Sequence, residues 1–355
     1  MMLPGYRHIA TVFIWILFGI LLISGFREAN AIRRFHGVSL RYNTPICGQT
    51  ALRARQYSIE NMEQNAFWPT FWHQCRAELS AGTATTDASV ISFSGEASLV
   101  WPAYYIAGSA PGVIDARGIA VSEALAHRLW GSTDIIGMPV YVNNQPTRFS
   151  SQLNFVCNNT PRIIRGVFEG ETELALLPFH LEDTSQSWTA VELAGGTPHP
   201  TRGHADSFAA TSGLGRPDYV LMGGATALAR FMSIFPILIP AVYGLVLLVA
   251  FIKKHYPTAS TPIFFAGFIL FAILLPILLN ALPPWIIPTR WSDFSFWSSL
   301  LQQANGSLRE FIHINPMLRD VELKMRLLRQ VGIFVLSVSL GIVVCAFRKE
   351  QFTRA

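Results

Sequence analysis

The spacing of long apolar stretches is the feature that most constrains how this chain can fold. Crossing about 30 Å of hydrocarbon at 1.5 Å per residue takes roughly 20 apolar residues, and about 17 is the lower limit. Four stretches reach this length, at residues 9–26, 231–252, 262–282 and 331–347. Residues 27–228, between the first two, have mixed composition. The pattern predicts a membrane protein with four transmembrane α-helices and a large domain inserted between helices 1 and 2.

The composition agrees with a membrane protein. Hydrophobic residues make up 51% of the chain and charged residues only 14%, where roughly 25% charged residues is usual for a soluble domain. The formal net charge of +5 comes from dispersed basic residues and not from a Lys/Arg block. The charge therefore gives no argument for a nucleic-acid partner.

The apolar stretches divide the chain into five predicted segments. These are an N-terminal transmembrane helix at 1–26, an α+β domain at 27–228, transmembrane helices 2 and 3 at 229–282, a loop with an amphipathic helix at 283–330, and transmembrane helix 4 with a tail at 331–355. The amphipathic helix is predicted at residues 317–330, directly before the fourth span. It could lie on the lipid surface or pack on the domain as a stalk, and we favour the stalk.

Two questions about topology stay open at the level of the sequence. Arg7 before an apolar run, with Ala29 and Ala31 after it, is also typical of a cleaved secretory signal. Against cleavage, the apolar run is long for a signal and Arg27-Glu28 stands where small neutral residues are expected. The distribution of charges does not decide the orientation of the chain in the membrane either, because basic residues flank the predicted spans on both sides.

The domain shows a mixed pattern of strands and helices. Helices are predicted at residues 49–64 and 123–130, the second with Ser122 as its N-cap and Gly131 at its end. Strands are predicted at 67–75, 89–93, 98–106, 119–121, 140–142 and 162–168, the last two as a pair around a polar insertion at 147–161. Strands interleaved with helices in this way are typical of an α+β domain.

One part of the domain resembles a known family. The segment IAVSEALAHRLWGSTDIIGMPVYVNNQP at residues 119–146, followed by RIIRGVFEG at 162–170, resembles the extracytoplasmic core domain of MacB-type ABC transporter permeases. The shared features are Ser-Glu at a helix start, Trp-Gly at its end, a D-x-x-G turn and an Asn-rich hairpin. The family's order of one span, a large outer domain and three further spans covers the whole chain.

The resemblance implies a MacB/FtsX-type permease subunit in a bacterial plasma membrane, with its large domain extracytoplasmic. Such a subunit couples a separate ABC ATPase chain to extracytoplasmic work, or to export of a peptide, lipid or antimicrobial. Its implied partners are that ATPase, membrane lipid and a second permease subunit in a homo- or hetero-dimer. A membrane-anchored sensor or binding module that lacks an ATPase partner is the alternative function.

The resemblance also indicates where an ATPase would bind. The family carries a charged coupling helix between its second and third spans, and Lys253 and Lys254 stand at this joint here. The sequence contains no G-x-x-x-x-G-K-[ST] loop, so we expect any ATP hydrolysis to belong to a partner. No catalytic, cofactor or metal site is predicted, and the chain is not predicted to be an enzyme.

Cysteine usage gives one further prediction. Cys47, Cys75 and Cys157 lie in the predicted domain, which allows one disulfide in an oxidising compartment or three free thiols in a reducing one. If the helix at 49–64 packs antiparallel on a strand at 67–75, Cys47 returns close to Cys75. The two α-carbons could then lie within the roughly 4.4–6.8 Å that a bridge needs. We therefore predict a Cys47–Cys75 disulfide.

Overall fold

The structure is a computed structural model of the chain. It describes residues 4–35, 37–62, 67–112, 114–115, 117–144, 161–181, 186–195, 202–255, 267, 272, 294–314 and 317–354. The chain forms two compact units. The first, which we call the helical unit, consists of Met1–Arg34, Gly224–Gln303 and Glu322–Ala355, and the second, the domain, consists of Phe35–Gly223 and Ala304–Val321.

One sheet of ten strands forms the body of the domain. The strands are β1 (Val38–Cys47), β2 (Phe67–Ala81), β3 (Ala84–Ser94), β4 (Tyr105–Gly108), β5 (Gly118–Ser122), β6 (Pro139–Asn144), β7 (Arg162–Phe168), β8 (Leu174–Pro178), β9 (Ser187–Gly195) and β10 (Tyr219–Leu221). Their order is β10-β1-β9-β2-β3-β8-β5-β7-β4, and β6 pairs with β2 and β7. The pairs β3–β8 and β5–β7 are parallel and the other pairs are antiparallel.

The described helices fall into short domain helices and long apolar ones. They are α1 (Pro4–Arg33), α2 (Gly48–Glu60), α3 (Ala97–Val100), α4 (Glu123–Trp130), α5 (Arg202–Thr211), α6 (Gly224–His255), α7 (Phe294–His313) and α8 (Leu318–Arg354). The domain is thus an α+β structure, as predicted. The helix α7 was not predicted, because residues 283–316 were assigned to a loop.

The segment that carries the family resemblance folds as its residues predict. The Ser122 hydroxyl accepts a hydrogen bond from the Leu125 amide and so caps α4. Gly131 ends the helix with a φ of 70°, a left-handed conformation that suits glycine. The predicted pairing of β6 with β7 is confirmed at Val140 and Arg162.

Other local predictions differ from the structure. Residues 98–106 were predicted as one strand, but α3 and the short strand β4 occupy this region. The strand predicted to end at Cys75 continues to Ala81, because its second half pairs with β3 over its full length and also with β6. The polar insertion at 147–161, with Cys157, lies almost wholly outside the described residues.

The sheet has a core on each face. Alternation along β1 shows the division, since Val38, Leu40 and Tyr42 belong to the larger core whereas Ser39 and Arg41 lie on the opposite face. The second core contains Trp72, Ile91, Phe93 and Phe168 from the sheet, and Met317 and Leu318 pack against it. A sheet covered on both faces buries Arg41 and Glu192 as well.

Three described helices are long and apolar enough to cross a membrane. The candidate spans are Val12–Arg33 in α1, Gly224–Val246 in α6 and Leu318–Val343 in α8. They confirm three of the four predicted spans, with different boundaries. The third predicted span, at 262–282, lies outside the described residues apart from residues 267 and 272.

Small and polar residues join the three helices within the helical unit. The Gln330 side-chain amide donates to Ser233 Oγ at 3.0 Å, and Ser233 Oγ donates to the Gly25 carbonyl at 3.2 Å. A Cβ added at Gly25 would lie 3.4 Å from Ile333, so α1 and α8 approach closely there. Small residues that let helix backbones meet, with polar side chains between them, are typical of transmembrane helix packing.

The structure does not contain the predicted Cys47–Cys75 disulfide. Both cysteines are free thiols, with Cys47 exposed. The physical reason is the strand order, because β9 lies between β1 and β2. Two interstrand spacings separate the backbones of β1 and β2 by roughly 9.5 Å, which is too far for a bridge. Cys47 Sγ instead lies 3.2 Å from Thr50 Oγ1.

The buried His73 gives the domain a predicted sensitivity to acid. His73 is 1% exposed, packs against the ring of Trp188, and has its pKa lowered to about 4 by desolvation. The unfolded chain takes up this proton near pH 6.5. The stability that the neutral, buried His73 contributes is therefore complete above pH 6.5. The free energy of unfolding then decreases by about 3 kcal/mol as the pH falls toward 4.

We expect the urea midpoint of the full chain in detergent, followed by tryptophan fluorescence, to fall between pH 6.5 and 4. His73→Gln cannot take up this proton and should show a flatter pH dependence, whatever its stability at pH 7. Parallel pH profiles for the two proteins would show that His73 is not the cause.

Candidate functional site

Four charged side chains are buried together in the domain. Arg41 comes from β1, Glu192 comes from β9, and Arg319 and Asp320 come from the first turn of α8. Their side chains are 3%, 2%, 3% and 0% exposed, respectively. We call these four residues the charge cluster. Charged side chains are rarely buried unless they are paired, so a buried cluster of four is an unusual feature.

Three ion pairs connect the charge cluster. Arg41 Nη1 lies 2.9 Å from Glu192 Oε1, and Arg41 Nη2 lies 2.9 Å from Asp320 Oδ1. Arg319 Nη2 lies 3.2 Å from Glu192 Oε2. The pairs form a chain in the order Asp320, Arg41, Glu192, Arg319. Two positive and two negative charges are thus joined without a net charge.

The register of the sheet holds the two strand members in place. Ser39 is directly opposite Glu192 across β1 and β9, and its hydroxyl donates to Glu192 Oε1 at 2.7 Å. The Trp72 indole N–H on β2 donates to the same oxygen at 3.0 Å. The Arg41 guanidinium lies 4.8 Å from the centre of the Trp72 ring, a cation–π arrangement. The sheet side of the cluster is therefore preorganised by β1, β9 and β2.

The electrostatics of the cluster favour the charged forms of Glu192 and Arg41, whereas desolvation lowers the pKa of Arg319. Burial alone would raise the pKa of Glu192, but Arg319, Arg41 and their hydrogen bonds outweigh it, and the pKa lies below its ordinary value. Burial alone would lower the pKa of Arg41, but Asp320 and Glu192 raise it above its ordinary value. Glu192 and Arg41 thus depend on their ion partners to remain charged in a low dielectric.

The first turn of α8 makes further contacts with the domain. The Leu318 amide donates to Gln74 Oε1 at 2.7 Å, which satisfies one of the unpaired N–H groups at a helix start. Arg319 donates to the Leu99 carbonyl at 3.1 Å and lies 5.5 Å from the centre of the Phe35 ring. Ion pairs, a cap and aromatic packing together fix the beginning of α8 on the sheet.

The contacts of the charge cluster suit a structural link between the sheet and the first turn of α8. Glu192 Oε1 already accepts three hydrogen bonds, and the low pKa of Glu192 makes the carboxylate a poor base at neutral pH. Among the described residues, no group of three or more His, Cys, Asp or Glu could hold a metal ion. The cluster binds one element of the chain to another.

The predicted site residues lie elsewhere. Lys253 and Lys254 are in the last turn of α6, and the joint that follows, at 256–266, lies outside the described residues. The role of Lys253 and Lys254 therefore stays a prediction. Cys47 ends β1, and Cys75 lies in the middle of β2 with its Sγ 3.8 Å from the Val90 carbonyl. None of these four residues belongs to the charge cluster.

Sequence reasoning missed every member of the charge cluster. Arg319 is one of the basic residues that flank the predicted spans, yet it is buried and paired. A signal did exist, since Arg319-Asp320 puts two opposite charges directly at the start of the predicted amphipathic helix. Arg41 and Glu192 each stand alone between apolar or small residues of a strand. Arg41 is 279 residues from Asp320 and 151 residues from Glu192 in sequence, so no local pattern could pair them.

Comparison with solved structures finds similar folds at low similarity. The extracellular domain of the noncanonic ABC-type transporter YknZ from Gram-positive bacteria has a TM-score of 0.39 and 11% identity, covering 52% of this chain and 97% of that one. The periplasmic region of MacB from Actinobacillus actinomycetemcomitans has a TM-score of 0.41 and 10% identity, covering 54% and 92%. A domain of a putative permease protein from Porphyromonas gingivalis has a TM-score of 0.33 and 14% identity, covering 52% and 86%.

These three solved structures are domains of transporters or permeases. No protein-family model matches the chain. No curated protein matches it in sequence. Each of these three TM-scores is below 0.5, so the similarity by itself assigns no function to this chain.

The charge cluster predicts a specific pattern of stability changes. Asp320→Asn leaves Arg41 with one partner fewer, and Arg41→Met leaves Asp320 buried without its cation. Breaking a buried pair by removing one member costs roughly 3–5 kcal/mol. The double variant removes both charges and should cost clearly less than the sum of the single changes. Urea titration of the full chain in detergent measures this coupling.

A surface pair provides the matched control. Arg128 and Glu173 are 68% and 35% exposed and lie 3.9 Å apart, so Arg128→Met should cost less than about 1 kcal/mol. Additive effects in the Arg41/Asp320 cycle, or single changes no larger than that of Arg128→Met, would contradict the cluster as described.

Proposed function

We propose that this chain is a permease-like subunit that couples a separate ABC-type ATPase to work on the extracytoplasmic side of a membrane, or to export. In this proposal the domain lies outside the cell and the ATPase binds at the cytoplasmic ends of the spans. The chain itself hydrolyses nothing. The sequence motifs at 119–146 and 162–170 support the class, and the contacts of α8 support the mechanism.

The continuity of α8 is the observation that carries the mechanism. This helix runs without a break from Leu318 to Arg354. Its first turn, up to Val321, belongs to the domain, and the remainder from Glu322 belongs to the helical unit. An α-helix transmits displacement along its axis through its own backbone hydrogen bonds. A helix with one end held in the charge cluster and the other end in the membrane can pass movement between the two.

Contacts among the spans extend this mechanism to the helical unit. Arg329 on α8 pairs with Glu28 on α1 at 2.9 Å, and Gln330 bonds to Ser233 on α6. Gly341 on α8 lies close to Phe18 and Ile239. The three helices are thus tied at two depths, and a movement that begins at one of them reaches the others.

The cytoplasmic contact is assigned to the end of α6. Lys253 and Lys254 follow the apolar part of α6 and would face the headgroup region. At that position two ammonium groups suit an acidic groove on an ATPase. They would receive the force that α6 and its neighbours carry to α8.

Changing the sign of these lysines tests the ATPase contact. We expect the Lys253→Glu/Lys254→Glu variant to insert and fold but to lose co-purification of its ATPase from detergent-solubilised membranes, because two attractive contacts become repulsive. The Lys253→Arg/Lys254→Arg variant keeps the charge and should retain the partner. Retention by the Glu pair would place the contact elsewhere, and the absence of any ATPase from the parent would favour the sensor or binding module.

Loosening α8 tests the coupling. Val321→Gly/Met325→Gly changes two exposed positions, one at the end of the first turn of α8 and one a turn later, at about 1 kcal/mol of helix propensity each. We expect the ATPase to stay bound while the ATP-dependent response of a fluorescent probe at Asp134→Cys, in a background lacking the native cysteines, is lost. Val321→Ala/Met325→Ala keeps the helix and should keep the response. An unchanged response in the Gly variant would exclude α8 as the coupling element.

A further inference from the structure

One side of α2 in the domain combines an arginine with exposed apolar side chains. Leu52, Arg55 and Ile59 lie at i, i+3 and i+7, within about 60° of one another around the helix. Leu52 and Ile59 are 41% and 50% exposed, and Trp68 near the start of β2 is 37% exposed. The Arg55 guanidinium lies 5.8 Å from the centre of the Trp68 ring. We call Leu52, Arg55, Ile59 and Trp68 the α2 surface.

The end of β3 determines how the Arg55 guanidinium is oriented. The pairing of β2 with β3 begins at Phe71 and Ser94, so Pro69 on β2 has no β3 residue beside it. Arg55 Nη2 donates at this point to the Pro69 and Ser94 carbonyls, at 3.2 and 2.8 Å. Arg55 Nη1 makes no hydrogen bond to the residues that the structure describes, and it is not fully enclosed. The guanidinium is therefore held through one terminal nitrogen, and the other one is accessible.

The charge of Arg55 lacks a counter-ion within the described part of the domain. Its two hydrogen-bond acceptors are carbonyl groups, which carry only partial charges. Desolvation lowers the Arg55 pKa to about 10, and no carboxylate of the described residues offsets this effect. A partly buried cation is stabilised by an opposite charge close to it. The α2 surface is thus suited to receive an anionic group.

The composition of the α2 surface is typical of a protein–protein interface. Trp and Arg are the residue types that most often carry the binding energy at interfaces. Apolar side chains that are exposed together, and not singly, mark interaction sites. A partner that covers Leu52, Ile59 and Trp68 would also exclude water from an ion pair at Arg55 Nη1. Exclusion of water strengthens such a pair.

Two other occupants fit the α2 surface less well. A second copy of the chain, meeting it face to face, would bring two Arg55 side chains together, and the α2 surface contains no carboxylate of its own. Recognition of anionic lipid is typical of clusters of roughly four to eight basic residues, whereas the α2 surface carries one. A different protein that supplies a carboxylate matches both the charge and the apolar side chains.

We infer that the α2 surface is a docking site for another protein, one that presents an Asp or Glu flanked by apolar side chains. The carboxylate pairs with Arg55 Nη1, and the apolar side chains of the partner cover Leu52, Ile59 and Trp68. The docking site involves neither the ATPase contact nor α8. It therefore goes beyond the proposed coupling function and does not depend on it.

Photo-crosslinking of the full chain tests whether a protein docks there. The photoreactive residue p-benzoylphenylalanine replaces Leu52 in the membranes of the chain's own cells, and the adducts are mapped by mass spectrometry. We expect an adduct with one other protein, through a segment that contains Asp or Glu. The inference is overturned if no adduct forms, or if the only adducts are with lipid or with a second copy of the chain.

A titration with the mapped segment tests the ion pair. The segment is made as a fluorescent peptide, and its binding to the full chain in detergent is followed by anisotropy. Arg55→Met should weaken binding about 30-fold or more, because the carboxylate is then covered without its partner. A peptide with the amide in place of that acid should bind the parent as weakly, and Arg55→Met should weaken it by less than about threefold more. Losses that simply multiply would contradict the ion pair.

Two charge variants on α2 provide a matched comparison. Ile59→Glu leaves Arg55 in place but puts a carboxylate one turn away from it at an exposed position, so we expect it to block the peptide. Arg53→Glu makes a larger change of charge at an exposed position, about 160° around the helix from Arg55, and should leave binding unchanged. Tryptophan fluorescence checks that each variant is folded. Equal effects of the two variants would exclude the α2 surface as the docking site.

Discussion

The pairing of Arg41 with Asp320 inside the domain is the interaction on which the rest of the structure depends. Alone, either ion would pay a desolvation cost of several kcal/mol in the interior. Together with Glu192 and Arg319, each has an opposite charge within 3.2 Å. A hydrophobic contact tolerates sliding because it has no direction, whereas an ion chain with fixed hydrogen bonds does not. The cluster therefore specifies the position and rotation of the first turn of α8.

The same helix continues into the helical unit, since α8 runs without a break from Leu318 to Arg354. Within that unit, Arg329 contacts Glu28 and Gln330 contacts Ser233. The polar contacts of Arg329 and Gln330 and the buried charges of Arg319 and Asp320 thus lie on one helix. A buried ion network can cost stability, but its directed contacts fix the position of a helix more strictly than apolar contacts do.

Much of the architecture could be predicted from the sequence. Apolar stretches identified α1, α6 and α8, since only long apolar helices satisfy the membrane interior. The cap at Ser122 and the left-handed Gly131 were predicted because capping depends on neighbours within a few residues. The boundary between strand and helix at 97–108 was missed, since short apolar runs fit either structure. The Cys47–Cys75 disulfide was predicted wrongly, because the prediction assumed that β1 and β2 lie side by side, and strand order is not a local property.

What the sequence determined by itself is the class of environment for each segment: which stretches can enter a membrane, which fold as an α+β domain, and where local caps and turns stand. These depend on composition and on periodicity over a few residues. The tertiary structure alone decided that β9 separates Cys47 from Cys75, and that Arg41 and Asp320, 279 residues apart, form an ion pair. Such pairings depend on long-range strand order and helix docking. A charge in the sequence does not reveal whether it will meet water, lipid or another charge.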